Sequence, residues 1–149
     1  MTSDSIVIIP TYNEKENMEK IVRAVFRLEK HFHILVIDDG SPDGTAQIVH
    51  RLMKTEFGDR LFIIERAGKL GLGTAYIAGF KWALEHGYDY IFEMDADFSH
   101  DPKDMPRLYN ACHEDGYDVA IGSRYVSGVN VVNWPIGRVL MSYFASKYV

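Results

Sequence analysis

Two aspartates stand one residue apart in Met94-Asp95-Ala96-Asp97, directly after the apolar run Tyr90-Ile91-Phe92. Like charges this close repel, so a folded chain holds them with a cation, a donor network or water. Hard carboxylate oxygens at a strand end suit Mg2+ or Mn2+, and such a cation suits a diphosphate. A solvated acidic loop is the plain alternative, and Asp-Ala-Asp taken alone favours it. The loops elsewhere in the chain shift that balance.

Pro10-Thr11-Tyr12-Asn13-Glu14 offers an aromatic face on which a base or ribose can pack, with a carboxylate beside it. The same residues suit a helix start, Asn13 as cap and Glu14 and Glu16 in the first turn. In Asp38-Asp39-Gly40-Ser41-Pro42-Asp43-Gly44-Thr45, two adjacent aspartates of an extended chain point opposite ways. One can orient the loop while the other accepts from a ribose hydroxyl or base N–H; Ser41, Asp43 and Gly44 also fit turn and cap chemistry. Gly68-Lys69-Leu70-Gly71-Leu72-Gly73-Thr74 lacks the Lys-Ser/Thr of a P-loop. Nor does it follow the first strand, as a dinucleotide fingerprint must, so a nicotinamide-dependent oxidoreductase is a poor reading. It suits a loop entering a helix, whose N–H groups and Lys69 can face phosphate, and equally an ordinary glycine-rich turn. Arg124 and Arg138 can hold phosphate by bidentate bonds, with solvated surface charge as the alternative. His100 reads as a turn cap in preference to a metal ligand.

These loops need a frame. Five short apolar runs recur: Ile6-Val7-Ile8-Ile9, Ile34-Leu35-Val36-Ile37, Leu61-Phe62-Ile63-Ile64, Tyr90-Ile91-Phe92 and Val119-Ala120-Ile121. They are continuous rather than alternating, the pattern of strands covered on both faces. Between them run helical stripes: Met18, Ile21, Val22, Val25 and Phe26; Ile48, Val49, Leu52 and Met53; Leu72, Ala75, Gly79, Trp82 and Ala83, closed by Gly87. Asp101-Pro102 opens a fourth helix that should stop at Gly116, and Trp134 to Val149 reads as a last helix. The alternation predicts an α/β domain with a mainly parallel sheet. Ligands bind such sheets at the carboxyl ends of the strands, which is where all five polar loops fall. Asp115 and Asp118 fall at the far edge.

The 149 residues suit one domain, and 47% hydrophobic residues suffice for a core. A net charge of −5 argues against a nucleic-acid binder. The single cysteine, Cys112, allows no intrachain disulfide and suits a small buried hydrophobe. The first residues lack a signal-peptide pattern, and no run approaches the roughly 18 apolar residues of a spanning helix.

The loops in this order and spacing, together with Ala75-Tyr76, Phe98-Ser99-His100 and Gly122-Ser123-Arg124-Tyr125, resemble family 2 glycosyltransferases. The likeness is closer to the dolichyl-phosphate (polyprenyl-phosphate) mannose synthases. The resemblance implies a GT-A type, Rossmann-like three-layer fold, a nucleotide-sugar donor and Mg2+ or Mn2+. It implies nucleotide contacts at Pro10, Tyr12, Glu14, Ile37 and Asp39, a donor site lined by Asp95 and Ala96, and metal binding at Asp97 with Asp95. It assigns Arg124 and Arg138 to donor or acceptor phosphate. The reaction implied moves mannose from GDP-mannose to a polyprenyl phosphate with inversion, at the cytoplasmic face of a membrane. Members of the family continue well past the point matching Val149, so the chain is expected to be C-terminally truncated. Trp134, Tyr143, Phe144, Tyr148 and Val149 are then expected to meet absent segments, to promote self-association or to approach a membrane surface. Two alternatives stay open: a family 2 enzyme using UDP-glucose or UDP-N-acetylglucosamine, and a nucleotide-sugar-binding module without activity.

Overall fold

The computed structural model describes residues 2–123 and 136–147. Four strands form one parallel sheet: β1 (Ser5–Thr11), β2 (His33–Asp38), β3 (Leu61–Glu65) and β4 (Tyr90–Glu93), in the order β3-β2-β1-β4. The registers are uniform, with Ile8 opposite Leu35 and Glu93, and Leu35 opposite Phe62. Helices α1 (Lys15–Phe26), α2 (Thr45–Leu52), α3 (Leu72–Glu85), α4 (Met105–His113) and α5 (Ile136–Lys147) connect and follow them. A π-helical turn (Met53–Phe57) extends α2, and a 3-10 turn (Pro102–Asp104) precedes α4.

The alternation of side chains along β1 and β2 divides the core. Val7, Ile9, Ile34 and Val36 pack with Met18, Ile21, Val22 and Val25 of α1, Val49 and Leu52 of α2, and Met105 of α4. Ile6, Ile8, Leu35 and Ile37 pack with Ala75 and Ala83 of α3. Each such fully buried aliphatic side chain contributes about 1.5–3 kcal/mol. The order explains the division. The chain moves outward from β1 to β2 to β3, then returns to the other side of β1 for β4. Right-handed crossovers then place α3 opposite α1 and α2. The reversal between β1 and β4 opens a crevice at their carboxyl ends, the switch point where α/β sheets bind ligands.

Two local expectations need correction. Val119-Ala120-Ile121 is not a fifth strand among the described residues; Val119 and Ile121 are 74% and 84% exposed. A continuous apolar run becomes a strand only where a helix and a neighbouring strand cover it, and neither does so among the described residues. The outer edge of β4 consequently faces an open groove of about 1420 Å³. Asn13 does not cap α1 either. It takes a left-handed backbone, φ 59°, and Glu14 is the capping residue. The fourth helix ends at His113, with Gly116 at φ 76° just beyond. Asp101 caps the 3-10 turn before it, accepting from Lys103 N at 3.0 Å, while Asp104 stands at the N-cap of α4 itself. Cys112 is half-buried. No helix among the described residues is long and apolar enough to cross a membrane.

Candidate functional site

The loop after β2 is built by its first aspartate. Asp38 accepts from Gly40 N at 3.1 Å, Ser41 N at 3.0 Å and Ser41 Oγ at 2.6 Å. Gly40 supplies the positive φ, 73°, that this turn requires. The loop in turn caps a neighbour. Ser41 Oγ accepts from Asn13 N at 3.0 Å, Thr45 Oγ1 from Glu14 N at 3.1 Å, and Asp43 Oδ2 from Lys15 N at 3.1 Å. These donors at the start of α1 are thus satisfied by the loop before α2 rather than left for an anion. Burial alone would raise the Asp43 carboxyl, but the hydrogen bonds from Thr45 and Lys15 outweigh it and hold it below the usual range.

Asp39 takes the other direction. Its carboxylate receives Arg66 Nε at 2.6 Å and Nη2 at 2.7 Å, a bidentate pair with side chains only 9% and 11% exposed. Arg66 also donates to Thr74 Oγ1 at 2.8 Å and to Gly71 O at 3.3 Å. One guanidinium therefore ties the end of β2 to the glycine loop and the first turn of α3. Nothing in the spacing of the sequence marked Arg66; its place at the end of β3, among the other polar loops, was the available signal.

Pro10, Tyr12, Asp39 and Lys69 come together around a cavity of about 110 Å³, with Thr11, Leu72 and Ala75 completing its wall. Lys69 Nζ stands 4.9 Å from the centre of the Tyr12 ring, a cation–π contact across the mouth. Thr11 Oγ1 is buried without a hydrogen-bond partner among the described residues. Such an atom awaits a ligand group or water. Glu14 holds Asn17 Nδ2 at 3.2 Å. Ile37 is fully buried beside Ile8 and Ala75 and does not line the cavity.

Leu72 walls both this cavity and the larger groove, so the two adjoin. Asp95 lies in that groove, with Ala96 buried behind it. Asp95 N donates to His100 Nδ1 at 3.3 Å, so His100 holds the turn as its sequence position suggests. Asp97 Oδ1 accepts from Ser99 N at 2.9 Å. Burial opposes ionisation of Asp97, but the bonds from Ser99 and the nearby His100 keep its carboxyl below the ordinary value. Tyr76, from α3, places its hydroxyl 3.4 Å from Asp95 Oδ1. Burial, then the charges of Asp95 and Glu93, push this phenol well above its usual value, so it is protonated and donates.

No cluster of three or more His, Cys, Asp or Glu side chains suited to a metal occurs among the described residues. Asp95 nevertheless offers a hard-oxygen side chain to the groove, and Asp97, two residues on, an exposed one that does not line it. That fits a small divalent cation, which completes its shell with water and substrate phosphate. Arg124 lies outside the described residues, as does the side chain of Arg138, whose backbone is in α5. Trp134, Tyr148 and Val149 also lie outside them, as does the side chain of Tyr143, and Phe144 is exposed.

Comparison with known proteins adds a family. Residues 6–148 match Glycosyl transferase family 2. The chain is 49% identical over 147 residues to the polyprenol monophosphomannose synthase of Mycolicibacterium smegmatis, covering 99% of this chain and 55% of that protein. It is 43% identical over 143 residues to the undecaprenyl-phosphate mannosyltransferase of Micrococcus luteus, covering 96% and 57%. The chain thus spans about half the length of these curated relatives. Among solved structures, it resembles a Pyrobaculum calidifontis mannosyltransferase in complex with GDP-Man and Mn2+, at TM-score 0.51 and 26% identity over 56% of this chain and 25% of that one. S. aureus TarS shares the fold at TM-score 0.68, with 22% identity, over 88% and 38%. The architecture is that of GT-A glycosyltransferases.

Proposed function

From the chain's membership of glycosyl transferase family 2, we propose that it is the donor-binding domain of an inverting mannosyltransferase that uses GDP-mannose and a polyprenyl phosphate acceptor. The observation that carries this reading is the 49% identity, over nearly the whole chain, to a polyprenol monophosphomannose synthase. The geometry supports it: a small cavity lies beside a groove that carries Asp95, at the switch point of the sheet.

Tyr12 packs against the nucleoside and Asp39 accepts from it. Lys69 and the free N–H groups at the start of α3 face the diphosphate. Pro10 and Glu14 shape the same donor site, and the buried Ile37 and Ala96 support it from behind. Asp95 and Asp97 hold Mg2+ or Mn2+, which when bound neutralises charge on the leaving diphosphate. Arg124 and Arg138 bring the acceptor phosphate in, offsetting the repulsion between two anions. That phosphate is already ionised near neutral pH, so its oxygen attacks the anomeric carbon with little need of a general base. The carbon–oxygen bond to GDP breaks on the opposite face, and the configuration inverts. A lipid acceptor places the enzyme peripherally at the cytoplasmic face of a membrane.

Calorimetric titration of GDP-mannose, with and without Mn2+, tests the reading on this chain and on Asp97→Ala, with UDP-glucose as competitor. Metal-dependent GDP-mannose binding that disappears in the variant is expected. Preference for UDP-glucose would move the chain to another donor class, and no binding of either sugar nucleotide would sink the proposal.

A further inference from the structure

We propose that Tyr76 is a positioning residue, whose hydroxyl reaches from α3 across the crevice to orient the Asp95 carboxylate and, through it, the divalent cation. The inference rests on the donor and cation reading given above and adds a residue that neither the family match nor the relatives assign.

Tyr76 lies in the second turn of α3 and packs with the apolar cluster of Ile6, Ile8, Leu35 and Ile37. Its ring stacks on Phe80, 6.2 Å between centroids and 24° from parallel. The ring is thereby fixed by packing, and the hydroxyl is presented at one point in space. That point is 3.4 Å from Asp95 Oδ1. The backbone of the acidic loop has its own supports, Asp95 N on His100 and Ser99 N on Asp97. Among the described residues, however, the Tyr76 hydroxyl is the one donor to the carboxylate oxygens of Asp95. Without it this carboxylate rotates against the groove, and any cation it shares with Asp97 must first stop that rotation.

Groups that hydrogen-bond a metal ligand from behind fix its direction, and their loss typically costs 10–100-fold in metal affinity. A separation of 3.4 Å is long for an O–H···O bond. Contacts of this kind tighten when the site is filled. The same helix is tied at Thr74 to Arg66 and so to Asp39. Through Tyr76 it is tied to Asp95 as well, so α3 spans the nucleoside and diphosphate sides of the donor site.

Tyr76→Phe removes the hydroxyl and leaves the ring packing in place. GDP-mannose binding by this chain and by Y76F is measured by calorimetry at a series of fixed Mn2+ concentrations and in EDTA, with the Mn2+ resonance spectrum recorded alongside. The half-saturating Mn2+ concentration should rise about tenfold in Y76F. The residual affinity in EDTA and the near-UV circular dichroism should stay as in the unaltered chain. Trp82→Leu disturbs the packing of the same helix away from Tyr76; it should lower the melting temperature and leave the Mn2+ dependence alone. Equal Mn2+ dependence in Y76F and the unaltered chain overturns the role of Tyr76. So does an equal loss of affinity with and without metal, the mark of a purely structural side chain. An unaltered chain that binds no GDP-mannose at any Mn2+ concentration overturns the preceding functional reading, and the Tyr76 proposal falls with it.

Discussion

Asp38 and Asp39 are neighbours with opposite duties. The first is consumed by its own loop, through Gly40 and Ser41, and the second is held by Arg66 beside the cavity. Arg66→Leu leaves a buried carboxylate unpaired and should destabilise the chain by about 3–5 kcal/mol. Arg66→Lys, which keeps charge but not the fork, should cost less. Urea denaturation at neutral pH distinguishes them, and a Lys variant with the midpoint of the parent would contradict the role of the bidentate geometry. The division between the two aspartates was legible in advance, because consecutive residues of a strand face opposite sides. The partner of Asp39 was not. Arg66 follows it by 27 positions, and no periodicity links residues that meet only once the sheet has formed. The same holds for Thr11, whose unpartnered hydroxyl becomes visible only with its surroundings.

Helix α3 is the element that the site leans on, and a glycine brings it close. A Cβ on Gly79 would stand 2.7 Å from Ile8 Cγ2 and 2.8 Å from Ile8 Cδ1. Gly79→Val should therefore push α3 off β1 and cost about 2–3 kcal/mol. A urea midpoint unchanged from the parent would show that the contact relaxes freely. The start of α1 is equally dependent on a neighbour. Thr45→Val removes the acceptor of Glu14 N and a donor to Asp43 while keeping the buried shape, and should cost about 1–2 kcal/mol. Thermal melts of this variant check that figure. The helices, the first four strands and the edge that carries the candidate site followed from apolar patterns in the sequence. The fifth run, Val119 to Ile121, carried the same pattern without becoming a strand. Pattern records what a segment would bury, whereas pairing depends on what covers it.

At the scale of the whole molecule, the two edges of the sheet have different work. The carboxyl edge carries the proposed donor site. The amino edge carries a clasp, where Asp4 accepts from Lys30 Nζ at 2.7 Å, Ser5 Oγ at 2.6 Å and Tyr109 Oη at 2.8 Å. Burial alone would raise the Asp4 carboxyl, but these three bonds bring it down to about 2. A carboxylate lowered on folding adds stability above its ordinary pKa and loses it as the pH falls through the folded value. The clasp should hold fully above about pH 4 and fail towards pH 2. Asp4→Asn should cost about 1 kcal/mol at pH 7, allowing for solvent screening of a carboxylate one third exposed. It should leave GDP-mannose affinity unchanged. Urea midpoints of the two proteins should converge below pH 3, and a constant gap down to pH 2 would contradict this assignment. The capping of α1 by Ser41, Asp43 and Thr45 has a different consequence, for anyone transplanting parts between enzymes. The stretch bearing Tyr12 and Glu14 keeps its shape only while its acceptors travel with it. Residues 10–17 and 38–45 therefore form one exchangeable cassette, and a chimera that moves either half alone inherits a frayed helix instead of a donor preference.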